Sequence, residues 1–167
     1  VSDAGGGVEI IDVTNSSTPT LLGSYSAGLF GSGRMALSSD NDTLFLEDGN
    51  NIVIIDVSNP ATPALLGTYD SGSDAQEPLL SSDDSTLYVI DAFKFGSLHI
   101  VDVSDPANPT LLGTSGVIDN GDALSVTSDG ATAFLVKNGS LEIFDITDPG
   151  AISSIATTAT VSSATNS

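Results

Sequence analysis

Apolar residues along this chain come in short runs, each closed off by Gly, Pro, Asn, Asp, Ser or Thr. No stretch carries the 3.6-residue periodicity of a helix, and the runs are rich in Val, Ile, Leu, Phe and Thr, so they predict β-strands. The clearest set is MALS (35–38), TLFLE (43–47), IVIIDV (52–57) and ALLGTY (64–69). A second set is PLLS (78–81), TLYVID (86–91), LHIVDV (98–103) and TLLGTS (110–115), and a third is ALSV (123–126), TAFLV (132–136), LEIFDI (141–146) and ISSIATT (152–158). Several runs are apolar almost throughout. That fits strands covered on both faces rather than strands with one wet face.

The sets are copies of one another. IIDVTNSSTPTLLGSY at 10–25 returns as IIDVSNPATPALLGTY at 54–69 and IVDVSDPANPTLLGTS at 100–115, with a degraded copy, IFDITDPGAISSIATT, at 143–158. Asp12, Asp56, Asp102 and Asp145 lie 44, 46 and 43 residues apart. A period near 44 with four strands per copy is that of a propeller blade; a parallel β-helix repeats in fewer residues. The expected fold is all-β: about three and a half propeller-type blades of four antiparallel strands. The expected divisions are a Gly-rich lead-in (1–7), a half blade of third and fourth strands (8–26), blades at 27–71, 72–115 and 116–158, and a Ser/Thr-rich tail (159–167).

The third strand with its turn, read as IIDV, IIDV, IVDV and IFDI followed by S/T-N/D-P and P-x-LLG, resembles the LVIVD repeat of bacterial and archaeal surface-associated β-propellers. The resemblance spans roughly residues 8–158. It implies a propeller, often in an extracytoplasmic setting, and it brings no catalytic residues with it.

The aspartate ending each third strand has a structural reason to be there. It precedes a tight turn at Asn15, Asn59, Asp105 or Asp148, followed in three copies by Pro60, Pro106 or Pro149. Asp and Asn side chains accept from backbone N–H groups two residues on, and proline presets φ. The competing reading is a ring of metal ligands. It is weaker, because the aspartate recurs together with its turn partner.

A closed propeller usually takes four to eight blades. Three and a half leave apolar sheet faces and a strand edge bare, which invites association. Three outcomes follow. The tail 159–167 adds a strand and closes a small ring, two or more copies complete each other's blades, or the chain is part of a larger propeller.

The formal net charge is −19, from 22 acids against 3 bases. It disfavours nucleic acid and anionic membrane surfaces. Charged residues make up only 15% of the chain, however, so most of the polar surface is hydroxyl and amide, a composition suited to life outside the cell. There is no cysteine, which removes disulfides, thiolate zinc sites and cysteine nucleophiles. No apolar run is long enough to span a bilayer. The chain opens on Val1 with no signal-type segment, so the expectation is a removed leader or an excerpt of a longer protein.

The loops between blades, and those joining second to third strands, are expected on one face. They gather Phe30, Arg34, Phe93, Lys94 and Phe95, a contact patch of aromatics and bases suited to a glycan or a protein. The alternative is that Phe93 and Phe95 pack over the blade end. Asp70, Asp74, Asp119 and Asp122 sit in short Asp/Asn/Gly stretches that offer the oxygen ligands calcium prefers, though none forms an EF-hand loop and such stretches also make turns. No other cofactor is expected. Asn15, Asn41 and Asn138 head N-x-S/T sequons in predicted turns.

Catalysis finds little support in the residues. His99 is the single histidine, and its repeat equivalents are Glu9, Val53 and Glu142, so it reads as sheet surface. The GGG at 5–7 lacks the lysine of a phosphate loop. The expectation is a non-enzymatic, extracellular structural or interaction module that assembles with copies of itself, as in a surface fibre or layer. A glycan- or protein-binding propeller is the alternative.

Overall fold

Each apolar run pairs with the next across a tight turn, so neighbouring strands run antiparallel and the sheets form in chain order. The computed structural model describes residues 2–3, 7–26, 33–91, 96–118, 121–137 and 139–158. The first sheet holds β1 (Ser2–Asp3), β2 (Gly7–Asp12) and β3 (Thr20–Ser26). The second holds β4 (Met35–Leu37), β5 (Thr43–Asp48), β6 (Asn51–Asp56) and β7 (Ala64–Asp70). The third is β8 (Ala75–Leu80), β9 (Thr86–Asp91), β10 (Leu98–Asp102) and β11 (Thr110–Thr114). The fourth is β12 (Gly121–Val126), β13 (Thr132–Lys137), β14 (Ser140–Asp145) and β15 (Ser153–Thr157). These are blade-type sheets, and among the described residues they do not close into a ring.

Two boundaries differ from the sequence reading. The lead-in 1–7 is not merely a spacer, because Ser2 and Asp3 pair with Val8 and Gly7 and give the first sheet a third strand. β8 starts three residues before Pro78, since a register shift between Gln76 and Leu79 carries the ladder past the proline. Proline has no N–H to donate, so strands tolerate it mainly at edges and bulges. The tail 159–167 lies outside the described residues.

The alternation along each strand sorts side chains between successive neighbours. On β6, Ile52 and Ile54 face the third sheet while Val53 and Ile55 face the first. On β9, Leu87 and Val89 face the second sheet while Tyr88 and Ile90 face the fourth. This double burial explains why the runs are apolar throughout. Each large aliphatic side chain so buried contributes about 1.5–3 kcal/mol.

At the far end from the loop rim, the repeat's acids hold turns. Asp12, Asp56, Asp102 and Asp145 accept from the backbone N–H of Thr14, Ser58, Ser104 and Thr147 at 2.8–3.0 Å. A second series works between first and second strands. Asp40, Asp83 and Asp129 accept from Ser38, Ser81 and Thr127, whose hydroxyls in turn accept from Thr43, Thr86 and Thr132 N–H. The donors from Ser81 and Ser85 hold the Asp83 carboxyl down at about 2.

The glycine of each LLG run meets the next sheet. Gly23, Gly67 and Gly113 lie against the carbonyl oxygens of Pro60, Pro106 and Pro149, one turn each. A Cβ there would fall under the 3.0 Å that real Cβ atoms essentially never breach. None of the three has a positive φ, so space rather than backbone conformation demands glycine.

Candidate functional site

Two regions carry unusual chemistry. The first is the rim where described parts of the loops between sheets meet the turns that join second to third strands: Ser71 N–H donates to Asn50 O at 3.0 Å, Ala75 N–H to Gly49 O at 2.9 Å and Ile118 N–H to Gly96 O at 2.8 Å.

Arg34 lies at this rim, but not as a free base. Its guanidinium pairs with Glu77 and its backbone N–H donates to the Glu47 carboxylate. Burial raises the Glu47 carboxyl above its usual range, against the pull of Arg34. Glu77 stands in the left-handed region at φ 55, beside the β8 bulge. A non-glycine residue there costs about 1–3 kcal/mol and persists only where its surroundings hold it. Lys137, also on the rim, pairs with Glu142, which is buried against the third sheet. Phe30, Phe93, Lys94 and Phe95, the rest of the expected contact patch, lie outside the described residues.

His99 corrects the sequence reading. It is not sheet surface but 7% exposed, wedged between the second and third sheets. One ring nitrogen, Nδ1, lies 2.7 Å from the Tyr69 hydroxyl and Nε2 lies 2.9 Å from Ser97 Oγ. Burial lowers the histidine pKa, partly offset by Asp91, and pushes the Tyr69 hydroxyl up to about 12. The signal was hidden because its repeat equivalent, Val53, packs apolar against Tyr25. Its contacts with Tyr69 across two blades and with Ser97 make a polar side chain acceptable there.

Of the calcium candidates, Asp70 accepts from Gly72 N–H and Asp74 from the Gln76 amide, at 2.8 and 2.6 Å. Asp122 lies on β12, and Asp119 falls outside the described residues. Among the described residues, no three His, Asp or Glu side chains gather as a metal site would require. Asn15 is exposed and accepts from Ser17 N–H in its turn. Asn41 is exposed with φ 65, and Asn138 lies outside the described residues.

The second region is apolar. A cavity of about 590 Å³ opens between the first and second sheets, lined by Val8, Ile10, Leu22, Met35, Leu37 and Leu44 among others. β1 pairs with only Gly7 and Val8 of β2, whereas β5 pairs with β6 from Asn51 to Asp56. No strand of the first sheet stands opposite β4 among the described residues. Met35 and Leu37 are consequently 39% and 48% exposed. Their repeat equivalents Leu80, Leu124 and Val126 pack into the cores beside them. At the opposite end no sheet packs beyond the fourth among the described residues, and Val136 and Ile155 are 39% and 60% exposed.

No helix among the described residues is long and apolar enough to cross a membrane. No curated protein matches the sequence. Solved structures match the fold. A Lactobacillus plantarum protein aligns with TM-score 0.76 at 15% identity, over 92% of this chain and 51% of its own. A periplasmic gluconolactonase of Pseudomonas aeruginosa aligns at 0.71 and 14%, over 92% and 50%. A Bacteroides uniformis protein described as a candidate 6-phosphogluconolactonase aligns at 0.70 and 14%, over 92% and 51%. The chain therefore spans about half the length of these propellers. They also overturn the expectation that the chain is not an enzyme, because proteins named as lactonases are built on the same blades. LVIVD repeat models match residues 1–27, 44–71 and 87–115, about half of the sequence and the first three copies of the strand-turn-LLG unit, and the chain belongs to the LVIVD repeat family.

Proposed function

We propose that this chain is an interaction module that completes a propeller with a second copy of itself, outside the cytoplasm. The carrying observation is the apolar cavity where β4 faces no inner strand. It is matched by Val136 and Ile155, which the fourth sheet leaves exposed among the described residues. Two copies together have about the length of one of the propellers that share this fold. The acidic, hydroxyl-rich composition and the periplasmic setting of one structural neighbour support an extracytoplasmic location. Assembly into a surface fibre or layer is the extended form of the same contact. A glycan at Asn15 fits that setting, whereas Asn41 lines the cavity, so the contact requires Asn41 to be bare.

The test is molar mass in solution. Sedimentation across protein concentration is expected to reveal a dimer of the 16.8 kDa chain. Each copy carries −19, so salt should favour association by screening like charges. Leu37→Asp or Val136→Asp should dissociate it. A monomer at all concentrations and salt levels overturns the reading.

A second reading rests on the rim beside the fold likeness: hydrolysis of a sugar lactone. Glu47, with its raised pKa, suits a base that activates water, and Arg34 beside it suits an anion formed on the lactone carbonyl. Gluconolactone opening in a pH-stat, measured above the spontaneous rate and lost in Glu47→Gln, is the expected signature. A rate equal to the spontaneous one removes it.

A further inference from the structure

The three internal junctions share one close approach, and the last sheet lacks the means to repeat it. Gly23, Gly67 and Gly113 pair with Ile10, Ile54 and Ile100, each just before a register shift. In the fourth sheet Ile143 takes the same place, and its partner before the same shift is Ala156. The fourth copy is therefore intact in backbone geometry and altered in one contact. Each internal glycine receives a turn carbonyl of the following sheet, from Pro60, Pro106 or Pro149. The equivalent turn residue of the first sheet is Ser16, which has a carbonyl to offer all the same.

From this substitution we infer that Ala156 loosens the junction between copies: a second copy's first sheet docks on the fourth sheet only with the outer strands held apart, so that junction is looser than any junction within the chain. The inference rests on the self-association proposed above and deepens it by naming what sets its strength. Were the second copy's Ser16 carbonyl placed as its internal counterparts are, it would fall inside the van der Waals radius of the Ala156 methyl. The internal glycines leave no room for a Cβ. The outer strands must then separate until a contact of 3.4–4 Å is restored. The inner part of the face, with Phe134, Leu141 and Ile143 half-buried, stays available for docking. Ala156 is exposed. The outcome is an association that reverses, instead of a seam as tight as the rest of the stack.

Ala156→Gly tests this, with Ser154→Gly as a control for added flexibility in the same strand. Sedimentation equilibrium should show Ala156→Gly tightening self-association at least tenfold, with Ser154→Gly unchanged or weaker. If the wild type associates and Ala156→Gly is no tighter, or Ser154→Gly tightens it equally, the inference fails while the self-association reading stands. If the wild type is monomeric and Ala156→Gly associates, Ala156 is confirmed as the block to docking and the wild-type assembly is withdrawn. If neither associates, both fall.

Discussion

The junction between the second and third sheets and the junction between the first and second are written in nearly the same residues, yet they differ in what they bury. In the former, Ile52, Ile54, Leu87 and Val89 are sealed, with Leu80 of the inner strand packed on them. In the latter, Val8, Leu44, Leu46, Val53 and Ile55 are sealed, but Leu37, the counterpart of Leu80, lies open beside a cavity. The residue class at that repeat position is unchanged. What changes is the presence of a strand opposite it. Burial in a stacked-sheet protein is thus a property of the neighbour as much as of the residue, and at this inner-strand position an exposed leucine marks a missing neighbour, whereas the first leucine of each LLG run is exposed in every sheet that carries one.

The strongest way to break this comparison is at the close approach between sheets. Gly113→Ala places a methyl against the Pro149 carbonyl, a backbone atom with little room to retreat. Overpacking of this kind costs about 1–3 kcal/mol or more, so a fall in urea midpoint near the upper end is expected. Ala156→Gly, at the same repeat position with no sheet packed beyond it among the described residues, should change the monomer's unfolding free energy by less than about 1 kcal/mol, the cost of added backbone freedom. Equal effects at both positions would show that the glycine serves the strand and not the junction.

A contrast of similar size comes from one isoleucine in two settings. Ile100→Ala, between the third and fourth sheets, should cost about 2–5 kcal/mol in equilibrium unfolding. Ile143→Ala, the same position facing outward, should cost well under half of that while weakening self-association. Comparable losses in a monomeric sample would mean that the outer face is covered within the chain.

Smaller again is the polar contact at the second junction. Tyr69→Phe leaves His99 Nδ1 without its 2.7 Å partner and should cost about 1 kcal/mol. The histidine's folded pKa lies below its unfolded 6.5. Its stabilising contribution is therefore complete above pH 6.5 and lost as pH falls toward the folded value, where the unfolded chain takes up the proton first. His99→Phe should flatten that part of the pH–stability curve. A curve that keeps its slope would assign it to another group.

The least effect is expected at the exposed turn acids. Hydrogen-bond donors hold Asp83 at about 2 against an ordinary 3.8, so its contribution is present above pH 3.8 and fades as pH falls toward 2. Asp83→Asn should lower the melting temperature slightly at neutral pH and not at all near pH 2.

Much of the fold was legible because the repeat is written in local chemistry. The strand IVIIDV and the turn N-P-A-T-P report their conformation through β-branching, side-chain acceptors and proline, all of which act within a few residues. The rim was less so. Arg34 was visible as a base, but its partners Glu47 and Glu77 stand 13 and 43 residues away, and nothing local couples them. The backbone conformation at Glu77 likewise follows from the bulge that admits Pro78 into a strand, which is a matter of register between two strands.

By itself the sequence determined the strands, their turns, the four-fold repetition and the acidic, hydroxyl-rich surface. Only the tertiary structure decided that LLG glycines are demanded by carbonyls of the next sheet, that a lone histidine is buried against a tyrosine, and that Leu37 is left uncovered. The division has a physical reason. Strand and turn formation depend on contacts a few residues apart, whereas burial and close approach depend on which sheet arrives opposite, some 44 residues later in the chain.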